Sequence, residues 1–192
     1  MSNNDIAIKL SPAVGEDAPE AELVRASDCS TTMLSAFWKA SPVLLVFMRH
    51  LGCSFCREQV GHLQQISAEI RQAGTHVVLI SVNRPEETHR FCLSRNLGGH
   101  FTCLSDPARE SYMRYGLSRV SSPHLLTPHV LSRGIQAVLH GHFTTIPKAD
   151  PLQLPGIFLV NKSGVVKYAH RNRDASDNPS NREIMDAINS LS

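Results

Sequence analysis

Five apolar residues without a polar interruption, Val43-Leu44-Leu45-Val46-Phe47, constrain this chain more than any other stretch. Such a run has no face to offer water, so it reads as a strand covered on both sides of a sheet. A second run of the same kind, His76-Val77-Val78-Leu79-Ile80-Ser81-Val82, follows. Between the two, Cys56, Val60, Leu63, Ser67 and Ile70 recur at helical spacing, and Gly74 is available as the stop. Strand, helix and strand in that order imply a parallel pair joined by a right-handed crossover, and hence an α/β architecture.

Two thiols sit where the first strand gives way to the helix, in Arg49-His50-Leu51-Gly52-Cys53-Ser54-Phe55-Cys56-Arg57-Glu58. Cys53 falls at or just before the first helical turn, where unpaired backbone N–H groups favour an anion, and Cys56 falls on the apolar stripe one turn further in. The thiolate is the reactive form, and a free cysteine has a pKa of roughly 8.5. A helix N-terminus contributes up to about 2 kcal/mol, or roughly 1.5 pKa units, which brings the ionised fraction at neutral pH to about half. Arg49, His50 and Arg57 are placed to add to this. The expected assignment is Cys53 as an exposed nucleophile and Cys56 as the more buried resolving thiol. Two other readings stay open: half of a zinc site completed by His50 or His62, and a pair of inert core cysteines.

At 192 residues, one well-buried domain is the default. The expected organisation is a flexible N-terminal arm over 1–20, a single domain over 21–192, and within it an insertion over 117–154. The formal charge of +2, from 19 basic and 17 acidic side chains without long runs, points to neither a nucleic-acid nor a membrane partner. The first five residues lack the pattern of a secretory signal, so a cytoplasmic location is expected. Five cysteines are an odd number, and no disulfide framework is expected; Cys29, Cys92 and Cys103 read as single structural thiols.

Along the rest of the chain, Ala21–Ala26 reads as a short strand and Thr31–Lys39 as an amphipathic helix closed by Ser41-Pro42. Pro85 opens a helix that Gly98-Gly99 ends, Phe101–Leu104 is a strand, and Asp106-Pro107 starts a helix that stops at Gly116. From Leu117 to Leu154 the periodicity fails, consistent with an insertion of about forty residues packed over the sheet. Thr127-Pro128 can cap a short helix there. Four of the ten histidines, His124, His129, His140 and His142, lie in this stretch at spacings that match no metal-binding pattern. Gly156–Val160 and Val165–His170, joined by Asn161-Lys162-Ser163-Gly164, read as a hairpin. Arg171, Arg173, Asp174 and Asp177 read as a solvated loop, and Ser180 with Glu183 as a capping box for a last helix.

The order of these elements resembles a thioredoxin fold with a mixed central sheet flanked by helices. More closely, the chain resembles the peroxiredoxin-like branch of the alkyl hydroperoxide reductase C/thiol-specific antioxidant (AhpC/TSA) superfamily. The residues that carry the resemblance are Arg49 to Glu58, Ser105-Asp106-Pro107 leading to Tyr115-Gly116, Leu154-Pro155-Gly156-Ile157-Phe158-Leu159-Val160 with Gly164, and Tyr168-Ala169-His170-Arg171. The resemblance implies that Pro155 is the cis-proline facing the thiols. It also implies a thiol-dependent oxidoreductase that reduces disulfides or peroxides through a Cys53/Cys56 dithiol. The partners implied are a thiol reductant such as thioredoxin or glutathione, and a homodimer is admitted. A redox-sensing or binding module without turnover is the alternative. No GxGxxG or GxxxxGK[ST] motif is present and no cofactor is expected. The departures are specific: peroxiredoxins carry proline seven and threonine or serine three positions before the reactive cysteine, where this chain has Val46 and His50. They also tend to carry an arginine where this chain has Pro155, and proline there is the dithiol oxidoreductase pattern.

Overall fold

The computed structural model describes residues 11–117, 119 and 152–191. The insertion's interior, with its four histidines and the helix expected at Thr127-Pro128, lies outside the described residues, as do residues 1–10. Seven strands form one mixed sheet: β1 Glu22–Arg25, β2 Thr31–Met33, β3 Val43–Phe47, β4 His76–Ser81, β5 Phe101–Ser105, β6 Gly156–Val160 and β7 Val166–Arg171. Their order across the sheet is β2-β1-β5-β4-β3-β6-β7. β3, β4 and β5 are parallel, while β6 and β7 on one flank and β1 and β2 on the other run antiparallel to their neighbours.

The apolar runs bury both faces because successive side chains point to opposite sides. Leu44, Val46, Val77, Leu79, Ile157 and Leu159 enter the core on one face. Val43, Leu45, Phe47, Val78, Ile80, Phe158 and Val160 enter it on the other. The first face is covered by α2 (Ser54–Gln65), α4 (Pro85–Ser94) and α6 (Asn181–Asn189), through residues such as Cys56, Val60, Leu63, Phe91, Ile184 and Ile188. The second is covered by α1 (Ser35–Ala40) and α5 (Glu110–Arg114), through Phe37, Trp38 and Tyr112. A short α3 (Ser67–Gln72) completes the helices. This is the thioredoxin-like order expected from the resemblance. Among the described residues no helix is long and apolar enough to cross a membrane.

Several boundaries differ from the sequence reading. Thr31–Met33 is a strand paired with β1 and not the start of a helix, as its two β-branched threonines allow. The helix expected to run to Gly74 breaks at Ile66, where the Ser67 hydroxyl takes the Gln64 carbonyl at 2.8 Å. Asp106 does not cap a helix beginning at Pro107. Its carboxylate accepts the backbone N–H groups of Glu110 and Ser111, so the helix starts a turn later. Arg171 is not in a solvated loop: it ends β7, donates to the Tyr115 and Pro12 carbonyls, and lies 4.8 Å from the Phe158 ring centre. The capping box forms by half. Ser180 accepts from the Glu183 N–H, but the Glu183 carboxylate accepts from the Tyr168 hydroxyl at 2.7 Å.

The second half of the expected arm is fastened. Gly15 and Ala18 donate to the Val166 and Gly164 carbonyls, and Val166 donates back to Glu16. Ser11 crosses Gly116 so closely that a Cβ there would lie 2.5 Å from the Ser11 Cβ, and Gly116 has a φ of +68°. The insertion leaves and returns at one place: Arg119 bridges Gln153 in antiparallel fashion, and the Gln153 amide donates to the Leu117 carbonyl at 3.1 Å.

Two cysteine expectations fail. Cys92 on α4 and Cys103 on β5 are joined in a disulfide instead of standing as separate thiols. Their sequence contexts gave no sign of it, because α4 must turn back before β5 brings the two side chains together. Cys29 is free but exposed and so fills no core position.

Candidate dithiol site

The C-terminal ends of the parallel strands β3 and β4 are tied by a buried hydroxyl. Tyr112 lies on α5, fully buried, and its O–H is shared between the Met48 and Ile80 carbonyls at 2.7 and 2.9 Å. Met48 itself donates to Ile80. From this anchor the chain turns through His50 to Cys53, whose N–H returns to the His50 carbonyl at 3.1 Å. The Arg57 Nε donates to the Leu51 carbonyl at 2.8 Å, and the Leu51 N–H donates to the Asn83 side chain at 3.3 Å. The turn is thus held from the helix below and from the segment after β4.

Cys53 is the N-cap of α2, where the spacing placed it. It is not exposed, however: at 3% accessible it is as buried as Cys56 at 4%. Both thiols are free and neither is bonded to the other. The Cys53 pKa is lowered to about 6, first because the Cys56 thiol donates a hydrogen bond to its sulfur, which outweighs the opposing effect of burial. The Cys56 backbone N–H lowers it further without the geometry of a capping bond, as do the charge and side-chain hydrogen bond of Arg49. The neighbouring thiol is the largest of these influences, and the helix-end N–H of Cys56 acts in the same direction. Cys56 is pushed well above the usual thiol range, by hydrogen bonding to Cys53 and by burial, while its sulfur accepts the Arg49 backbone N–H at 3.3 Å. One sulfur is set up to carry charge and the other to keep its proton.

The other expected residues fare unequally. Arg49 and Arg57 both reach the Cys53 sulfur electrostatically. His50 adds no positive charge: burial first, then the two arginines, lower its pKa to about 4, and its Nδ1 is buried without a hydrogen-bond partner among the described residues. Pro155 does not follow a cis bond, since no described peptide is cis. It still reaches the site, lining with Cys56, Gln59, Asn172 and Asn178 a cavity of about 10 Å³, room for one water molecule. No group of three or more metal-binding side chains occurs among the described residues, and the zinc reading gains no support. Asn83, Gln59, Asn172 and Asn178 were invisible in the sequence, because each arrives from a segment without helical or strand periodicity or, as with Gln59, breaks an apolar stripe with a polar side chain.

Known proteins resemble this chain over most of its length. Residues 14–169 match the AhpC/TSA family. Peroxiredoxin-like 2C of Mus musculus is 24% identical over 163 residues, covering 80% of this chain and 71% of its own. Prostamide/prostaglandin F synthase of Salmo salar is 25% identical over 163 residues, covering 80% and 76%. Among solved structures, a peroxiredoxin-like protein from Aquifex aeolicus superposes with a TM-score of 0.69 at 19% identity, covering 96% of this chain and 91% of that one. Peroxidoxin BcpB from Mycobacterium tuberculosis does so with a TM-score of 0.65 at 16% identity, covering 94% and 96%. A sheet of this order, a paired thiol at the N-terminus of its central helix and a match over most of the length lead to one conclusion: the chain belongs to the AhpC/TSA family of thioredoxin-fold, peroxiredoxin-like proteins.

Proposed function

We propose that the protein is a thiol-dependent oxidoreductase that cycles between a Cys53/Cys56 dithiol and a disulfide, reducing disulfides or peroxides. The observation that carries this reading is the placement of two free, buried thiols in the first turn of one helix, Cys53 at the N-cap of α2 and Cys56 three residues on. Hydrogen bonding between them lowers the Cys53 pKa and raises that of Cys56, which favours Cys53 as the anionic member. With a disulfide substrate, the Cys53 thiolate attacks one sulfur, a mixed disulfide forms and the other sulfur departs as a thiolate. Cys56 then attacks Cys53, the second half of the substrate departs, and the proton lost by Cys56 ends on a departing thiolate. With a peroxide, the Cys53 thiolate attacks one oxygen, the O–O bond breaks, Cys53 becomes a sulfenic acid and the other oxygen leaves, protonated, as alcohol or water. Condensation with the Cys56 thiol then forms the disulfide and releases water. Either route removes two electrons from the pair, which an external thiol reductant restores. Resolution is intramolecular, between residues three apart on one helix end, and this favours it strongly over attack by an outside thiol.

Peroxide is favoured as the first oxidant by one further observation. Cys53 is 3% accessible, so a small molecule reaches it with less displacement of its surroundings than a bulky disulfide requires. Arg49 and Arg57 supply the cationic groups that the family usually draws from the position of Pro155.

The test is to treat reduced protein with one equivalent of hydrogen peroxide or of a small disulfide and to map the products by mass spectrometry. The expected result is the loss of two hydrogens, an intramolecular bond between Cys53 and Cys56, and a trapped sulfenate or mixed disulfide in Cys56→Ser. The reading fails if Cys53 is oxidised by both reagents no faster than free cysteine.

A further inference from the structure

The segment after β7 is stitched to α2 at two points. Asn178 donates its side-chain amide to the Phe55 carbonyl at 3.1 Å, and Asn181 donates to the His62 carbonyl at 3.0 Å. At 1.5 Å of rise per residue these carbonyls stand about 10 Å apart along the helix axis. Between the stitches the two segments part, and a groove of about 360 Å³ opens. Its helix wall is Glu58, Gln59, His62 and Gln65; its other wall is residues 178–181.

Gln59 is the unusual member. It is 4% accessible, yet among the described residues neither its amide nitrogen nor its amide oxygen has a hydrogen-bond partner. Burying a carboxamide with both ends unpaired costs free energy that an apolar residue at the same helical position would not incur. The Asn181 Oδ1, from the opposite wall, is a second buried acceptor without a partner among the described residues. A free donor and a free acceptor on one planar carboxamide match the acceptor and donor of another amide. The groove also reaches Ser180 and Asn181, where the nine-residue α6 begins and its first N–H groups favour a carboxylate. An amide and a carboxylate on one small molecule are the chemistry of a short peptide. The volume lies at the small end of ligand pockets, which sets the size at a few residues. Gln59 and Asn178 are shared with the cavity against Cys56, so the groove and the dithiol have a common wall.

We propose that this groove binds a short peptide bearing a free carboxylate. Resting on the dithiol reading above, its physiological occupant is a thiol-bearing peptide that serves as the reductant. In that role two peptide thiols yield one peptide disulfide, and the two electrons and two protons they give up convert the Cys53–Cys56 disulfide back to the dithiol.

The probe is S-methylglutathione, which has peptide amides and carboxylates but no free thiol, titrated into the full-length reduced protein and followed by NMR. Saturable shifts of the Gln59 and Asn181 side-chain amide signals are expected, with at least tenfold weaker binding in Gln59→Leu. The groove assignment is overturned if those signals do not move in the wild-type protein, if Gln59→Leu binds equally well while still folded, or if glycerol or acetate at the same concentration reproduces the shifts. Because the probe cannot reduce a disulfide, its failure to bind a protein whose dithiol cycles normally removes this proposal alone. Binding to a protein whose dithiol proves inert removes the redox reading and leaves the groove as a peptide site.

Discussion

Cys56 sits three residues beyond Cys53 in the first turn of α2, and hydrogen bonding between the two thiols is the largest single influence on both, lowering the Cys53 pKa and raising that of Cys56. A hydrogen bond to a charged group contributes about 1.5–3 kcal/mol, which corresponds to roughly 1–2 pKa units. Alkylation of the wild-type protein by iodoacetamide as a function of pH is therefore expected to show a Cys53 midpoint near 6. In Cys56→Ala the midpoint should move up by about 1–2 units. A midpoint that stays in place would mean that Arg49 or the helix end holds the charge instead.

His50 makes stability depend on pH in a defined window. Its pKa is about 4 in the folded protein and 6.5 as the reference, so between those values the unfolded chain binds more protons than the folded one. Stability from this group is complete above the unfolded value, falls as the pH drops toward 4, and changes no further below it. The loss over the whole window amounts to about 3 kcal/mol. Urea denaturation at pH 7 and pH 4.5 should show a smaller acid loss in His50→Gln than in the wild type, and equal losses would refute the assignment.

The Cys92–Cys103 disulfide gives a simple count. Unfolded without reductant, the protein should take up three alkyl groups, at Cys29, Cys53 and Cys56, and with reductant five. Five in both cases would contradict the bond. A cross-link closing a loop of this length contributes about 3 kcal/mol in the chain-entropy view. Cys103→Ser should lower the denaturation midpoint by a corresponding amount, and the difference from wild type should vanish when dithiothreitol is present.

Tyr112 is predicted to matter although it lies on the far face of the sheet from α2. Tyr112→Phe leaves the Met48 and Ile80 carbonyls with one partner fewer in a buried site, at a cost of about 1–2 kcal/mol in global stability. Chemical denaturation measures it directly, and an unchanged midpoint would show that the hydroxyl does not anchor the end of β3.

How much of this was legible in the sequence follows from the range of the interactions involved. The runs Val43–Phe47 and His76–Ser81 declared themselves because burial on both faces leaves no room for polar residues, and the α2 stripe did so because its period is local. Cys53 at the helix N-cap was legible for the same reason. Its burial was not, because what covers a side chain comes from distant parts of the chain. The same limit hid the Cys92–Cys103 bond, the neutral state of His50 between two arginines, and the reach of Asn178 across to Phe55. The cis geometry at Pro155 came from the family resemblance alone, and the trans bond found there shows how far one position can depart from a shared pattern.

The bridge between Arg119 and Gln153 has a consequence for how such chains diverge. Because the polypeptide departs and comes home through adjacent positions, its two ends are already brought together at the sheet. Closure entropy grows with the logarithm of length, so each doubling of such an excursion costs only about 0.6 kcal/mol. A change of length between these two positions is therefore one that this doorway absorbs at small entropic cost.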